Sequence, residues 1–237
     1  MVDNDADYVC VSFDRIDEDG KRFSFDQSVP ELTVIDVSED NISRFAFLST
    51  APWGKLFKRS LLSGCSFPEY PIPIHEDCIF ILSVYPKVKR YVMLPDVLYH
   101  YLVYDEQSTQ TSTSTEKTDK FRSFMVDLKN SFEADGVSEP YLKMLDLAAF
   151  IHVGIADAHR TADIRGMSLR KYCAGAKAFF SENFPGWRKI KLRPYGSFTF
   201  RCFMVWSAKI MYKLCVFWIF IKLYNLMIKV FHVDVKW

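Results

Sequence analysis

Residues 107–120, Gln-Ser-Thr-Gln-Thr-Ser-Thr-Ser-Thr-Glu-Lys-Thr-Asp-Lys, hold no apolar side chain, and they divide the chain into two parts with different hydrophobic periods. Such a stretch reads as a mobile loop or linker. Before it, Tyr8-Val9-Cys10-Val11-Ser12-Phe13 reads as a strand and Arg22-Phe23-Ser24-Phe25 as its hairpin partner, joined by the turn residues Asp17-Glu18-Asp19-Gly20. Ser38-Glu39-Asp40 is placed to cap a helix running from Ile42 to Leu48, and Ser60-Leu61-Leu62 begins a brief helix that ends at Gly64. Pro68, Pro71 and Pro73 predict an extended approach, because each proline keeps the preceding residue out of helical geometry. From Glu76 to Val84 the apolar residues are nearly continuous, as in a buried helix. Tyr91 to Leu94 and Val97 to Tyr104 read as strands separated by the turn Pro95-Asp96. After the stretch the pattern is helical, over roughly 119–134, 138–160 and 167–183, and Pro185-Gly186 ends that series. The segregation of strands before helices defines an α+β chain.

The 237 residues are 49% hydrophobic, 16% aromatic and 25% charged, a globular composition. The net charge of +1 conceals a gradient. Residues 1–50 hold 12 acidic and 4 basic side chains, whereas residues 187–237 hold 10 basic and 1 acidic. A basic, aromatic and strongly apolar end points to a membrane surface rather than to nucleic acid. None of the six cysteines lies at C-x-x-C spacing, so no zinc ribbon or redox pair is signalled, and scattered thiols suit a reducing cytosol. Met1 to Asp7 is acidic and polar, unlike a signal peptide.

From Phe200 to Phe231 the sequence is helical and apolar, but its uncharged run from Leu214 to Ile221 has only eight residues. A membrane span needs about 20. Lys209, Lys213, Lys222 and Lys229 interrupt the longer stretch. The preferred expectation is a helix lying in the membrane interface with its lysines at headgroup level. A tilted single span and a helix packed on the domain's own core are the alternatives.

Several residues have chemistry to offer. Asp17 and Asp19 have the D-x-D spacing that holds a metal and a diphosphate in many sugar transferases, but here the pair lies in a hairpin turn and reads as solvated. In His75-Glu76-Asp77 the carboxylates open an apolar helix, whose dipole would hold Asp77 ionised, as a base requires. The simpler alternative is capping of a buried helix. Trp53 beside Lys55 and Lys58 could stack on a sugar ring and neutralise a phosphate, or belong to an ordinary amphipathic strand. His152 and His159 have no carboxylate or cysteine pattern nearby and read as core or surface histidines. His100, in a tyrosine-rich strand, reads as structural.

Taken in order, these pieces resemble family 2 glycosyltransferases of bacteria. Ala51-Pro52-Trp53-Gly54-Lys55-Leu56-Phe57-Lys58-Arg59 is similar to that family's W-[NG]-K-[LF]-[FY]-[KR] segment. Phe67-Pro68-Glu69 followed by Ile74-His75-Glu76-Asp77 is similar to its F-P-x…HED segment, and Leu94-Pro95-Asp96-Val97-Leu98-Tyr99-His100-Tyr101 resembles its paired-strand motif. The likeness extends over about residues 6–110. It implies part of a GT-A fold (α/β, with short strands and a buried helix) over residues 1–106; composition and periodicity add the linker 107–120, a helical subdomain 121–186 and a membrane-associating tail 187–237.

The resemblance further implies inverting transfer from a nucleotide sugar to an acceptor hydroxyl of a saccharide or a lipid-linked acceptor, in surface polysaccharide synthesis at the inner face of the membrane. Asp77 takes the base position, Glu76 its acidic neighbour, and Trp53, Lys55 and His75 substrate-binding positions. Leu102 stands where the family carries an arginine, so that phosphate contact is not expected. The family's divalent metal, Mg²⁺ or Mn²⁺, and its nucleotide belong to a first half that this chain does not match, and no metal site is visible here. The expectation is therefore a truncated transferase, with the missing half encoded upstream or supplied as a separate chain. The alternative is a non-catalytic, membrane-associated remnant or binding module on the same fold.

Overall fold

The computed structural model describes residues 1–26, 29–69, 75–103, 114–162, 166–189 and 200–231. The chain forms two compact units, Met1–Ser112 and Thr113–Trp237. The first is a mixed sheet with a buried helix and the second is helical, so the chain is α+β.

In the first unit β1 (Tyr8–Ile16), β2 (Arg22–Asp26), β3 (Thr33–Asp36), β4 (Lys55–Phe57) and β5 (Arg90–Leu102) form one sheet in the order β2-β1-β5-β3. β4 pairs with the first half of β1, on the edge whose second half carries β2. β1 and β5 are parallel and the other pairs antiparallel. The expected hairpin is present. Its turn is closed by the Lys21 amide donating to Asp17 Oδ1 at 2.7 Å, with Gly20 at φ 76°. That positive φ is the reason for a glycine there.

α1 (Glu76–Val84) buries Cys78, Ile79, Phe80, Ile81, Leu82 and Val84. Burial on both sides explains why its apolar residues run on rather than alternate with polar ones. Behind it Phe45 stacks on Tyr85 at 4.2 Å, and Tyr8 and Tyr91 complete a fully buried aromatic cluster. The turn expected at Pro95-Asp96 is instead a bulge inside one 13-residue strand: Val11 faces Leu94, Ser12 faces Val97 and Phe13 faces Tyr99. Proline has no amide to give to a ladder, and slipping the register accommodates it without ending the strand. The helix expected from Ile42 is a 3₁₀ helix, Ile42–Phe47. Asn41 precedes it and ties back to Asp36 and Ser38 rather than capping it. Pro71, Pro73 and Ile74 lie outside the described residues.

Asp7 fastens the edge of this unit. Its carboxylate accepts from Lys58 Nζ at 2.9 Å and from the amides of Lys89 and Arg90 at 2.9 and 3.1 Å. Burial alone would raise its pKa, but the Lys58 ammonium and the two amides outweigh it and hold the carboxyl below its ordinary value. A depressed folded pKa contributes stability above the ordinary carboxyl pKa, lost as pH falls through the depressed value. Asp7→Asn should therefore weaken the first unit at neutral pH and flatten its loss of stability below about pH 4. Denaturant midpoints measured along a pH series check this, and an unchanged acid limb would count against it.

In the second unit α2 (Thr115–Ala134) is capped by Ser114, whose Oγ accepts from the Lys117 amide, so helix occupies the last part of segment 107–120. Residues 107–113 lie outside the described residues. The helix expected over 138–160 is α3 (Glu139–Ala149), a π-helical stretch Phe150–Ala156 and α4 (Asp157–Thr161). Two buried hydroxyls take carbonyls in the widened stretch: Tyr172 donates to Val153 at 2.9 Å and Tyr212 to Gly154 at 2.6 Å. Gly154 admits the Phe180 ring, since a Cβ there would stand 2.8 Å from it. α5 (Leu169–Asn183) starts at Ser168, whose hydroxyl accepts from the Lys171 amide. A 3₁₀ turn, Pro185–Arg188, brings the fully buried Trp187 against Phe150, stacked at 5.3 Å. The predicted helix from Phe200 to Phe231 is broken into α6 (Phe200–Lys213) and α7 (Phe217–Phe231), with Cys215 between them at φ 61°. Among the described residues no helix is long and apolar enough to cross a membrane.

Candidate functional site

The first turn of α1 concentrates the unusual features of the first unit. His75 precedes the helix at φ 47°, ψ 25°, left-handed geometry that a residue with a side chain rarely adopts, and its ring makes no capping bond to the helix. Strain of this kind persists only where the surroundings impose it, and it gathers at functional sites. Glu76 and Asp77 follow at once. Asp77 is half-buried. Burial raises its pKa and the neighbouring Glu76 charge raises it further, while His75 and Lys55 pull it down; the net direction is up. The sequence reading has the helix start holding Asp77 ionised; here desolvation and like charge dominate, and the carboxylate is a stronger base than an exposed one.

Lys55 reaches this neighbourhood from β4. Its backbone pairs opposite Cys10 of β1, and its Nζ donates to the Ala51 carbonyl at 2.5 Å. One residue earlier, Gly54 at φ 67° turns the chain so that its carbonyl accepts from the Val11 amide at 3.1 Å. That turn lays Trp53 on the outer end of the sheet, stacked on Tyr99 at 4.5 Å and Tyr101 at 5.1 Å, with Phe13 edge-on at 4.7 Å. Glu76, His75 and Lys55 thus all act electrostatically on Asp77. Trp53 belongs to an adjoining aromatic cluster, already stacked on the protein's own rings.

A second ionic group was not foreseen. Asp14, fully buried in the outer half of β1, is ion-paired with Arg22, whose Nε lies 2.6 Å from its Oδ2, and its Oδ1 lies 2.5 Å from His100 Nδ1. The bond to His100 lowers its pKa most, against burial, and the Arg22 charge adds to the effect. His100 therefore has a carboxylate partner rather than a packing role alone. The available signal was Asp14 itself, since a carboxylate inside an otherwise apolar strand needs a partner.

The D-x-D pair behaves as the hairpin turn expected of it, with Asp17 bonded to its own turn and Asp19 exposed. His159 lies edge-on to Tyr224 at 5.2 Å in the second unit. Among the described residues no group of three or more His, Cys, Asp or Glu side chains is placed to hold a metal ion.

The sheet, the buried helix that opens on His75-Glu76-Asp77, and the helical unit define a glycosyltransferase-like fold. The solved structures similar to the chain include the glycosyltransferase TarS of S. aureus, residues 1–349. The complex of TarS with UDP-GlcNAc gives a TM-score of 0.61 at 14% identity, covering 95% of this chain and 61% of that one. The UDP complex and a further structure of TarS 1–349 each give 0.57 at 15%, covering 95% and 60%. The chain therefore spans about 60% of the TarS chains it matches, and at this identity the likeness is one of fold. No protein-family model and no curated protein matches the sequence.

Proposed function

We propose that this chain is the acceptor-side part of an inverting glycosyltransferase of the family 2 type, with Asp77 as its catalytic base. The observation that carries the proposal is Asp77 itself: a half-buried carboxylate of raised basicity, next to a strained His75, on a glycosyltransferase-like fold. The acceptor hydroxyl gives its proton to the Asp77 carboxylate while its oxygen forms the new bond to the anomeric carbon. The bond from that carbon to the nucleoside diphosphate breaks on the opposite face, so configuration inverts. One positioned base serves this reaction, and a carboxylate whose pKa lies nearer the working pH serves it better. Glu76 raises that basicity and Lys55 moderates it. Trp53 and Lys55 flank the donor and acceptor, and His75 contacts substrate. The nucleotide and divalent metal of the family belong to a part of the fold that this chain's sequence does not match. The apolar and basic segment 200–231 holds the protein on the inner face of the cell membrane, where saccharide or lipid-linked acceptors for surface polysaccharide are built.

Calorimetry of the natural full-length protein with Mn²⁺ and, in turn, UDP-GlcNAc, UDP-glucose and UDP-galactose tests this reading. Saturable heat with at least one donor is expected. Absence of binding to all three would count against a UDP-sugar transferase.

A further inference from the structure

The second unit contains a cavity of about 510 Å³ between the start of α5 and one side of α7. Arg170 and Lys222 line it, together with Ser168, Trp218, Asn225 and Leu226. Among the described residues neither cation pairs with a carboxylate, and none of the described lining residues is acidic. The Lys222 ammonium lies over the Trp218 ring at 5.5 Å, which leaves its charge available to an anion on its other side. Asn225 Oδ1 is buried with no hydrogen-bond partner, an unmet acceptor that a ligand hydroxyl would satisfy. The start of α5, a helix of 15 residues, adds partial positive charge to the same wall.

The surface beside the cavity is apolar. Val216, just before α7, and Ile219, Leu223 and Leu226 on it recur at helical spacing and are 37, 40, 60 and 58% exposed, while Phe217, Ile221 and Tyr224 form the buried side of the helix. On α6, Phe203 and Trp206 are exposed and stacked at 6.1 Å. An apolar stripe with a cationic pocket at its margin, in a segment holding 10 basic residues and 1 acidic one over 187–237, complements an anionic bilayer.

Resting on the membrane-surface reading above, we infer that this cavity is a headgroup site for an anionic phospholipid with a hydroxyl-bearing headgroup. Arg170 and Lys222 take the phosphodiester, Asn225 Oδ1 accepts from a headgroup hydroxyl, and the stripe from Val216 to Leu226 lies against the acyl chains.

The test is co-sedimentation of the natural protein with vesicles of phosphatidylcholine alone and of phosphatidylcholine containing phosphatidylglycerol. Binding is expected to require phosphatidylglycerol. Arg170→Gln with Lys222→Gln should lower it on the order of tenfold or more, each cation near the surface contributing separately. A control pair of equal charge outside the cavity, Arg201→Gln with Lys213→Gln, should lower it far less. Circular dichroism checks that both pairs remain folded. Equal losses from the two pairs would overturn the headgroup site and leave membrane association standing. No binding to either vesicle would overturn both. Calorimetric binding of glycerol 3-phosphate in solution as tight as binding to the vesicles would assign the cavity to a soluble phosphate instead.

Discussion

Asp77→Asn should remove sugar transfer almost completely and leave the fold at least as stable as before. A positioned general base contributes about 10²–10⁴ in rate. The loss is expected in kcat, with the KM for the nucleotide sugar nearly unchanged, because in the proposed role the carboxylate acts on the acceptor proton and not on the donor. Release of nucleoside diphosphate, followed in the natural full-length protein, measures both. The pH profile ties the effect to this residue. Burial and then Glu76 raise the pKa of Asp77, so its ionised, active form is lost at a higher pH than for an ordinary carboxyl, and kcat falls on the acid side. Glu76→Gln removes a cause of the rise and should move that limb to lower pH, whereas Lys55→Met removes a charge that opposes it and should move the limb to higher pH.

The stability side runs the other way from Asp7. A pKa raised by folding gives stability that is present below the ordinary carboxyl pKa and lost as pH rises through the raised one. At neutral pH the ionised Asp77 is therefore a burden on the fold, and the neutral amide relieves it. A variant that keeps more than about a tenth of kcat, with an unshifted acid limb, would remove Asp77 from the role of base.

How much of this was legible beforehand followed from the range of the interactions. α1, the hairpin and the D-x-D turn depend on neighbours within a few positions, and an apolar run, a glycine and a carboxylate beside a turn amide suffice to mark them. The parallel pairing of β1 with β5 joins residues 83 to 86 positions apart, and periodicity has no reach over that span. The bond between Asp14 and His100 follows from that pairing, which is why His100 read as structural and Asp14 was passed over. Pro95 looked like a turn because its local signal is the same in a turn and in a bulge; only the neighbouring strand decides.

In the helical unit the errors have a similar origin. Cys215 takes left-handed geometry without the glycine that usually announces it, and so the break between α6 and α7 was hidden. The π-helical stretch depends on Tyr172 and Tyr212 from other helices. At the candidate site the residue types of His75, Glu76 and Asp77 were legible, but the balance of their charges was not. The expected helix-start stabilisation of Asp77 is a local effect, and the desolvation that outweighs it belongs to the packed unit.

Gly186→Ala should be among the most damaging single substitutions in the chain, although it adds one methyl group. A Cβ at this position would stand 1.9 Å from Asp146 Oδ2 and 3.0 Å from its Cγ. Asp146 is 9% exposed and accepts a hydrogen bond from the Gly186 amide, so the carboxylate cannot swing to solvent without giving up that bond. The chain cannot easily retreat instead, because Trp187 follows, fully buried against Phe150 and Phe180. Overpacking of this kind costs about 1–3 kcal/mol, and a buried acceptor left unpaired about 1–3 more. Together these approach the whole stability of a marginal domain, about 5–15 kcal/mol.

Thermal unfolding of the natural protein should show the second unit melting well below wild type, with near-ultraviolet dichroism reporting the loss of Trp187 packing. Asp146→Ala combined with Gly186→Ala separates collision from a general intolerance of alanine at this turn. Removing the carboxylate makes room for the methyl, so the double variant should be more stable than Gly186→Ala alone, a coupling that independent sites would not show. Asp146 also carries its own pH signature. Burial pushes its pKa up to about 6, assisted by the Glu133 charge and opposed by Lys129 and the Gly186 amide. Its contribution to stability is therefore lost as pH rises through about 6, and Asp146→Asn should abolish that decline. A double variant no more stable than Gly186→Ala, with the decline intact in Asp146→Asn, would mean that Asp146 is not what the glycine makes room for.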